Sequence, residues 1–591
     1  MHEQDKFYPQ ESVWIYPKNN PEWRSAIVQE FNIHPVTAQI LVSRGFTNFE
    51  DIHNFLYAKL PSLYDPALFN DMQLAIDRVV TALYKKEGIL IYGDNDVDGM
   101  TAAALLTEFL KNLGGNVHYF IPNSNIQKKG LFADAVEFAL KNQCSLLITV
   151  DCGITAGKEL EDFLTHQIDV IVTDHHEPTS KIPHCVATLN PKLVNSTYPN
   201  REITGVGVAF KLAHGITNTL LASGKIAPNS IDLKSFLDLV ALGTISDMGV
   251  LLGENRILVR YGLGELRKTK RVGLLKLFAI CDLDLSSISP LDIASKVAPR
   301  LNSLGRIADP KKGVELLLIR DEEAASKLAQ ELDLHNIERQ KIERLAAEDI
   351  ENYIKAHPKI LQDKAIVLYS HKWHPGVIPI VTTRIAKQYN RPTMIIAIEK
   401  GLGKGSVRTI PEFSLLTVLK KHEKLLVNFG GHDFAAGLSV LEDNIPLLRK
   451  AFIQAANQAL KPSDLITKLY LDASVHFGEL TFDFMESLNL LEPFGNENPP
   501  PILFSDVVQL WAPKVVGKTH LKFFLEEGDR MLESIGFGLA WRKPQLRKKD
   551  LSLRIAFSPY INTFLNKSSI QLHIKDWKIH KDLPPEEEKI F

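Results

Sequence analysis

The sequence predicts an α/β protein: a parallel-sheet domain, a smaller second α/β domain joined to it by a long helix, and a C-terminal β-barrel. Three observations predict it. Between residues 81 and 262, short apolar runs of β type alternate with helical patterns, as in parallel sheets with crossover helices. Residues 321–356 contain neither Gly nor Pro and are dominated by helix formers. Around and beyond the turn Asn498-Pro499-Pro500-Pro501, short strand-like runs follow one another, the pattern of a small barrel.

Taken in order, residues 1–80 read as a mostly helical segment, with apolar spacing in 36–42 and 72–83. Residues 81–262 carry the first α/β domain. Its strands are the continuous apolar runs 88–92, 145–150 and 169–173, which suit burial on both faces. Helices are expected over 100–113, 133–141 and 156–165. Residues 263–358 form a helical connector that ends in the long helix. The acidic opening of that helix suits an N-terminus, and its charged surface suits a bridge between domains. The second α/β domain spans 359–462, with strands at 365–369 and 393–397. The barrel occupies 463–591, with strands near 507–511, 520–525, 553–557 and 570–574. At roughly 100–200 residues per domain, a chain of 591 residues admits roughly 3–5 domains.

Bulk properties narrow the function classes. The formal net charge of −2 excludes a wholesale polycation but permits a basic groove on one face. Four cysteines without CxxC spacing indicate neither a disulfide framework nor a zinc site, so a reducing cytoplasm is expected. No apolar stretch approaches the ~18 residues of a membrane span, and the polar N-terminus lacks a signal-peptide core, so no membrane association is expected.

The chemistry lies where the strands end. The first run leads into Gly93-Asp94-Asn95-Asp96-Val97-Asp98-Gly99, the second into Asp151-Cys152-Gly153, the third into Asp174-His175-His176. Open α/β sheets bind ligands beyond the carboxyl ends of their strands, so these five aspartates and two histidines should converge on one crevice. Carboxylates crowded together are unstable unless cations sit among them. Two divalent ions, Mn²⁺ or Mg²⁺, meet that need and accept oxygen and imidazole ligands. Alone, the DxDxDG loop reads equally as a solvated turn or as a helix N-cap by Asp98. An EF-hand is excluded, because its twelfth position is Leu105. Asp247, after the apolar run Gly243-Thr244-Ile245-Ser246, reads in isolation as a plain turn residue. As a set, these residues suit paired metals that polarise a phosphoryl oxygen, generate hydroxide and stabilise a leaving oxygen.

Asp94-Asn95-Asp96-Val97-Asp98-Gly99, Val150-Asp151-Cys152-Gly153, Asp174-His175-His176 and Gly243-Thr244-Ile245-Ser246-Asp247 together resemble the four motifs of the DHH phosphoesterase superfamily. Further motifs are similar to its RecJ exonuclease branch: Gly205-Val206-Gly207-Val208-Ala209-Phe210-Lys211, Pro299-Arg300-Leu301-Asn302-Ser303-Leu304-Gly305-Arg306 and Trp373-His374-Pro375-Gly376-Val377-Ile378. So are Gly405-Ser406-Val407-Arg408 and Phe429-Gly430-Gly431-His432-Asp433-Phe434-Ala435-Ala436-Gly437. Leu491-Glu492-Pro493-Phe494-Gly495 opens what resembles the family's oligonucleotide-binding (OB) barrel. The resemblance covers nearly the whole chain in the family's order.

The resemblance implies a metal-dependent exonuclease that degrades single-stranded DNA from its 5′ end in repair and recombination. It implies a monomer whose partners are a single-stranded-DNA-binding protein and a helicase. Asp94, Asp96, Asp98, Asp151, His175 and Asp247 take the metal ligands' places, with Asp151 as bridge. Asp151, His175, His176 and Asp174 form the catalytic set: Asp174 orients an imidazole, and His176 faces the scissile phosphate or completes the site. The second α/β domain resembles DHHA1. There Gly405, Ser406 and Arg408 make a pocket for a terminal 5′ phosphate, and Gly430, Gly431 and His432 approach phosphate or base. Arg300, Asn302 and Arg306 complete the substrate-binding set. Each arginine reads also as an interdomain salt bridge, and Trp373 as a base-stacking or a core aromatic. Tyr92 stands where many relatives have His, Asn95 replaces an aromatic, Pro379 a Gly, and residues 128–131 lack a usual tyrosine-containing form; no carboxylate of the set is lost. The chain ends soon after the barrel, so no extra terminal domain is expected. Two rivals remain: a DHH enzyme for short oligoribonucleotides or cyclic dinucleotides, and an inactive relative that binds single strands.

Overall fold

A strand covered on both faces must be apolar throughout, and the central strands meet that demand. Strand β1 (Gly88–Gly93) is buried at every position, and β3 (Cys144–Val150) at all but Ser145. With β2 (Asn116–Phe120), β4 (Asp169–Thr173) and β5 (Ala187–Leu189) they form a wholly parallel sheet in the order β2-β1-β3-β4-β5. In this order the chain direction of winding reverses between β1 and β3, which opens a crevice beyond their carboxyl ends. The structure, a computed structural model, describes residues 11–123, 132–179, 181–546, 551–564 and 567–580. The departure noted at residues 128–131 lies outside them.

Helix α1 (Val97–Asn112) follows β1 and is buried on nearly every side, packed against β1, β2, α2 (Gly205–Ala222) and α3 (Leu237–Ser246). It begins three residues before the predicted 100–113 because Asp96 caps it: Asp96 Oδ1 accepts hydrogen bonds from the Asp98 and Gly99 N–H groups at 3.0 and 3.1 Å. The other expected helices appear at Ala133–Lys141 and Gly157–Thr165. The apolar run before Asp247 is the last turn of α3, not a strand. A helix apolar all round cannot be told from a buried strand by periodicity.

The chain divides into two compact units. One comprises Asn48–Ile337 with Asn489–Pro500; the other comprises residues up to Thr47, Glu338–Leu488 and Pro501 onwards. The N-terminal helices Pro21–Phe31, Pro35–Ser43, Phe49–Tyr57 and Met72–Lys85 are therefore shared between them. Within the first unit, α4 (Gly253–Leu266) holds the segment expected to open the barrel: Arg256 donates to the carbonyls of Leu490 and Pro493, and Arg260 to that of Glu492. α5 (Ala298–Ile307) carries the PRLNSLGR motif, and the long helix α6 runs Glu322–Ala356.

The second unit holds a mixed sheet of β6 (Ile366–Ser370), β7 (Thr393–Glu399), β8 (Leu402–Arg408), β9 (Asn428–His432) and β10 (Ala435–Leu441), ordered β9-β10-β8-β7-β6. It also holds β11 (Leu503–Val516), β12 (His520–Glu527), β13 (Arg530–Gly536), β14 (Ser552–Phe564) and β15 (Lys567–Ile579). These run in the order β11-β12-β13-β15-β14, and β14 pairs back onto β11, so the barrel closes and leaves no edge. Strand β13 was not among the predicted strands, because Arg530, Glu533 and Ser534 interrupt its apolar signal. No helix among the described residues is long and apolar enough to cross a membrane.

One buried ion pair anchors α2. Lys211 Nζ lies 2.5 Å from Glu254 Oε1 in α4, and both side chains are essentially inaccessible. Tyr198 donates its hydroxyl to Glu254 at 2.5 Å, the Tyr64 N–H donates to it at 2.9 Å, and the Tyr64 carbonyl accepts from Lys211 at 2.6 Å. Removing one partner strands a buried charge, whereas replacing both by apolar groups is tolerated. We therefore predict that Glu254→Ala lowers stability by about 3–5 kcal/mol in urea-unfolding measurements, and that Lys211→Met with Glu254→Leu recovers most of the loss.

Candidate metal centre

Four loops deliver carboxylates to the crevice between β1 and β3, and each is fixed locally. After β1, Asp94 Oδ1 accepts from the Asn95 N–H at 2.7 Å, and Asp96 caps α1. Two residues later Asp98 is buried, its two oxygens held by the Gly205 and Val206 N–H groups at 2.7 and 2.9 Å. These are unsatisfied donors at the N-terminus of α2, where the helix dipole favours an anion. After β3, Asp151 adopts φ +61°, a left-handed conformation that costs about 1–3 kcal/mol in a non-glycine residue and recurs at functional sites. Asp247 caps the C-terminus of α3.

After β4, Asp174 is wholly occupied by its neighbours. Oδ2 accepts from the Ile154 N–H at 2.9 Å, while Oδ1 accepts from the N–H groups of His175 and His176 and meets His176 Nδ1 at 2.8 Å. This orients the half-exposed His176 ring. The His175 Nε2 atom lies 3.1 Å from Asp151, 3.7 Å from Asp247 and 3.9 Å from Asp98.

Three overlapping sets offer ligand atoms within 4.8 Å of one another: Asp94, Asp96 and Asp151; Asp98, His175 and Asp247; Asp151, His175 and His176. Asp151 belongs to two of them, as a bridging carboxylate would. Its Oδ1 is buried and accepts no hydrogen bond from the described residues. An oxygen so placed is normally satisfied by protein, water or an ion. The donor set, oxygen-rich with one or two imidazoles, suits Mn²⁺ or Mg²⁺.

Electrostatics tell the same story. Burial and the Asp96 charge push Asp94 up to about 6. Burial and Asp96 push Asp247 up to about 7. Asp98 is raised by burial and then by Asp247, and Asp151 by burial and then by Asp98. Asp174 behaves oppositely: burial works against its ionisation, but the His176 hydrogen bond and charge outweigh it and hold it below its usual range. Burial likewise disfavours a charged His176, yet the Asp174 hydrogen bond prevails and raises it to about 9.

Known proteins resemble this chain along most of its length. A model of the DHH family, N-terminal domain, matches residues 88–244; a DHHA1 domain model matches 362–458; and a RecJ OB domain model matches 471–576. The single-stranded-DNA-specific exonuclease RecJ of Bacillus subtilis is 34% identical over 95% of this chain and 70% of its own length. That of Escherichia coli is 31% identical over 92% of this chain and 96% of its own. The chain belongs to the RecJ family. The crystal structure of RecJ in complex with Mn²⁺ from Thermus thermophilus superposes with a TM-score of 0.79 at 28% identity, over 96% of this chain and 79% of that one. A complex of the same protein with Mg²⁺ gives 0.73 at 26% identity, over 97% and 79%.

Within this chain, the six predicted metal ligands and both further catalytic candidates meet in the crevice. The substrate-binding candidates divide. In the first unit, Arg300 pairs with Asp333 at 2.9 Å and donates to the Lys296 carbonyl. Asn302 Oδ1 accepts from the Val97 N–H at 3.2 Å and so braces the acidic loop, and Arg306 lies partly exposed on the same helix. Gly405, Ser406, Arg408, Gly430, Gly431 and His432 all lie on β8 and β9 of the second unit. Trp373 is a core residue whose indole donates to Asp349 at 2.8 Å. Tyr92 stacks on Phe132 at 4.5 Å.

Gly205 has a role that its motif alone does not spell out, though a Gly-x-Gly opening a helix is an anion-binding signal. Here a Cβ on Gly205 would lie 2.5 Å from the Asp151 side chain, so glycine alone permits α2 to approach. Gly205→Ala should displace Asp151 and lower activity on the order of a hundredfold, with weakened Mn²⁺ binding in calorimetry. A second prediction concerns pH. Carboxylates whose folded pKa is raised contribute stability below their unfolded pKa that is lost as pH rises through the folded value, here about 6 to 7. Metal-free Asp247→Asn should therefore melt a few degrees above metal-free wild type at pH 8 but close to it at pH 5, and gain less from Mn²⁺ in thermal scans.

Proposed function

We infer that this chain is a metal-dependent exonuclease that hydrolyses the phosphodiester bonds of single-stranded DNA from the 5′ end, in repair and recombination. One observation carries the reading: a buried Asp151 oxygen and the His175 ring nitrogen face each other at 3.1 Å without a hydrogen bond between them, ringed by acids that repel one another, in a RecJ-family fold. Asp94, Asp96, Asp98, Asp151, His175 and Asp247 would hold the divalent ions. When bound, such ions supply Lewis-acid polarisation of the phosphodiester and activation of water near neutral pH.

The chain's own residues do the rest. The α2 N-terminus fixes Asp98, and Asn302 steadies the loop that carries Asp94 and Asp96. Asp174 holds Nδ1 of His176, so the opposite nitrogen is left to meet phosphate or to protonate a leaving oxygen. In the second unit, Arg408 and Ser406 take a terminal 5′ phosphate. The Arg408 guanidinium donates to Ser406 Oγ at 3.1 Å and makes no ion pair among the described residues. Burial alone depresses its pKa, so an anion would compensate it. We place the enzyme in the cytoplasm as a monomer, beside a single-stranded-DNA-binding protein and a helicase.

The test is a polarity assay with Mn²⁺ on end-labelled DNA. Single strands with a 5′ end should yield mononucleotides and blunt duplexes should be spared. Asp151→Ala should lose more than the roughly 10–100-fold typical of supporting partners such as Asp174. Digestion equally from 3′ ends, activity confined to dinucleotides, or binding without product would each overturn the reading.

A further inference from the structure

Beyond the carboxyl end of β5 the chain continues Asn190-Pro191-Lys192, and this turn is fixed from several sides. At its start, the Leu189 carbonyl accepts from the Asp174 N–H at 3.0 Å. Asn190 is buried; its Nδ2 donates to the His176 carbonyl at 2.9 Å, and its Oδ1 accepts from the Lys192 N–H at 2.8 Å. The Lys192 carbonyl accepts from the Arg201 guanidinium at 3.2 Å. One buried amide thus ties the backbone of Lys192 to the loop that carries His175 and His176.

The Lys192 side chain is 11% exposed, and its Nζ lies 3.3 Å from Oε1 of Glu177, the residue after His176. Glu177 itself is 60% exposed. An ion pair with one partner in water contributes little and is readily exchanged. The ammonium also reaches the metal centre. Among the charges acting on Asp247, that of Lys192 favours the carboxylate more than that of Asp94 disfavours it. Lys192 therefore sets a positive charge at the crevice, rooted on the histidine loop and felt by Asp247.

We propose that Lys192 contacts the substrate: on binding, it exchanges Glu177 for a non-bridging oxygen of the phosphodiester being cleaved. The inference rests on the reading of the crevice as a site of phosphodiester hydrolysis, and it adds a residue that none of the four acidic motifs contains. An ammonium offers three donors on a flexible stem, so it can hold that oxygen and follow it as charge builds there. The bonds of Asn190 keep the root of the stem in place while its head moves. The displaced Glu177 carboxylate turns into water, and the new pairing offsets repulsion between the incoming phosphate and the acids.

The experiment follows hydrolysis of 5′-phosphorylated single-stranded DNA by the full chain with Mn²⁺, across a salt series. Lys192→Met should lower kcat on the order of a hundredfold without weakening Mn²⁺ binding in calorimetry. It should also make the logarithmic salt dependence of kcat/KM shallower by about 0.7, the share of one phosphate contact on a single strand. Lys192→Arg should keep the wild-type salt dependence and most of the rate. Glu177→Gln should keep both as well, because it removes only the resting partner. Equal losses in Lys192→Met and Glu177→Gln would mark the pair as structural and overturn the proposal. A Lys192→Met loss that tracks weakened Mn²⁺ binding, or an unchanged salt dependence, would overturn it too. Wild type that leaves 5′-ended single strands intact would overturn the functional reading itself, and the proposal with it.

Discussion

Mutual repulsion among buried carboxylates is the constraint on which the site depends. Asp94, Asp98, Asp151 and Asp247 each have their charged form disfavoured first by burial and then by neighbouring carboxylates, Asp96 among them. In a medium of low polarity such a group resolves itself by taking up protons or by taking up cations. A fold that keeps these side chains in place spends stability to do so, and regains it when divalent ions bind. Metal binding and the stability of the first unit are thus two aspects of one equilibrium.

The backbone makes that arrangement possible. The reversal of winding between β1 and β3 supplies the crevice, and the left-handed Asp151 aims its carboxylate across it. The α2 N-terminus supplies two N–H donors to Asp98, and Gly205 lets that helix come within touching distance of Asp151. The Lys211–Glu254 pair, further along α2, locks the helix against α4. Chemistry and packing meet on one element: α2 serves the site at its first residues and the core at its second turn.

Much of this was legible in the sequence because strand-end motifs carry their own geometry. Apolar runs 88–92, 145–150 and 169–173 announced β1, β3 and β4, and the acids that follow them fell where an open parallel sheet puts its ligands. The imidazole-orienting part of Asp174 was also readable, since adjacent Asp and His seldom serve packing. Three things were not. The helical nature of the segment before Asp247 was hidden by its unbroken apolarity. Strand β13 was hidden by its charged residues. The engagement of Arg300 with Asp333, and of Asn302 with the acidic loop, depends on tertiary contacts that no local pattern encodes.

The most direct measurement is manganese anomalous diffraction from crystals of the full chain. This account predicts two peaks in the first unit, bounded by Asp94, Asp96, Asp98, His175 and Asp247, with Asp151 contacting both. Crystals saturated with Mn²⁺ that show no peak within bonding distance of Asp151 would contradict it.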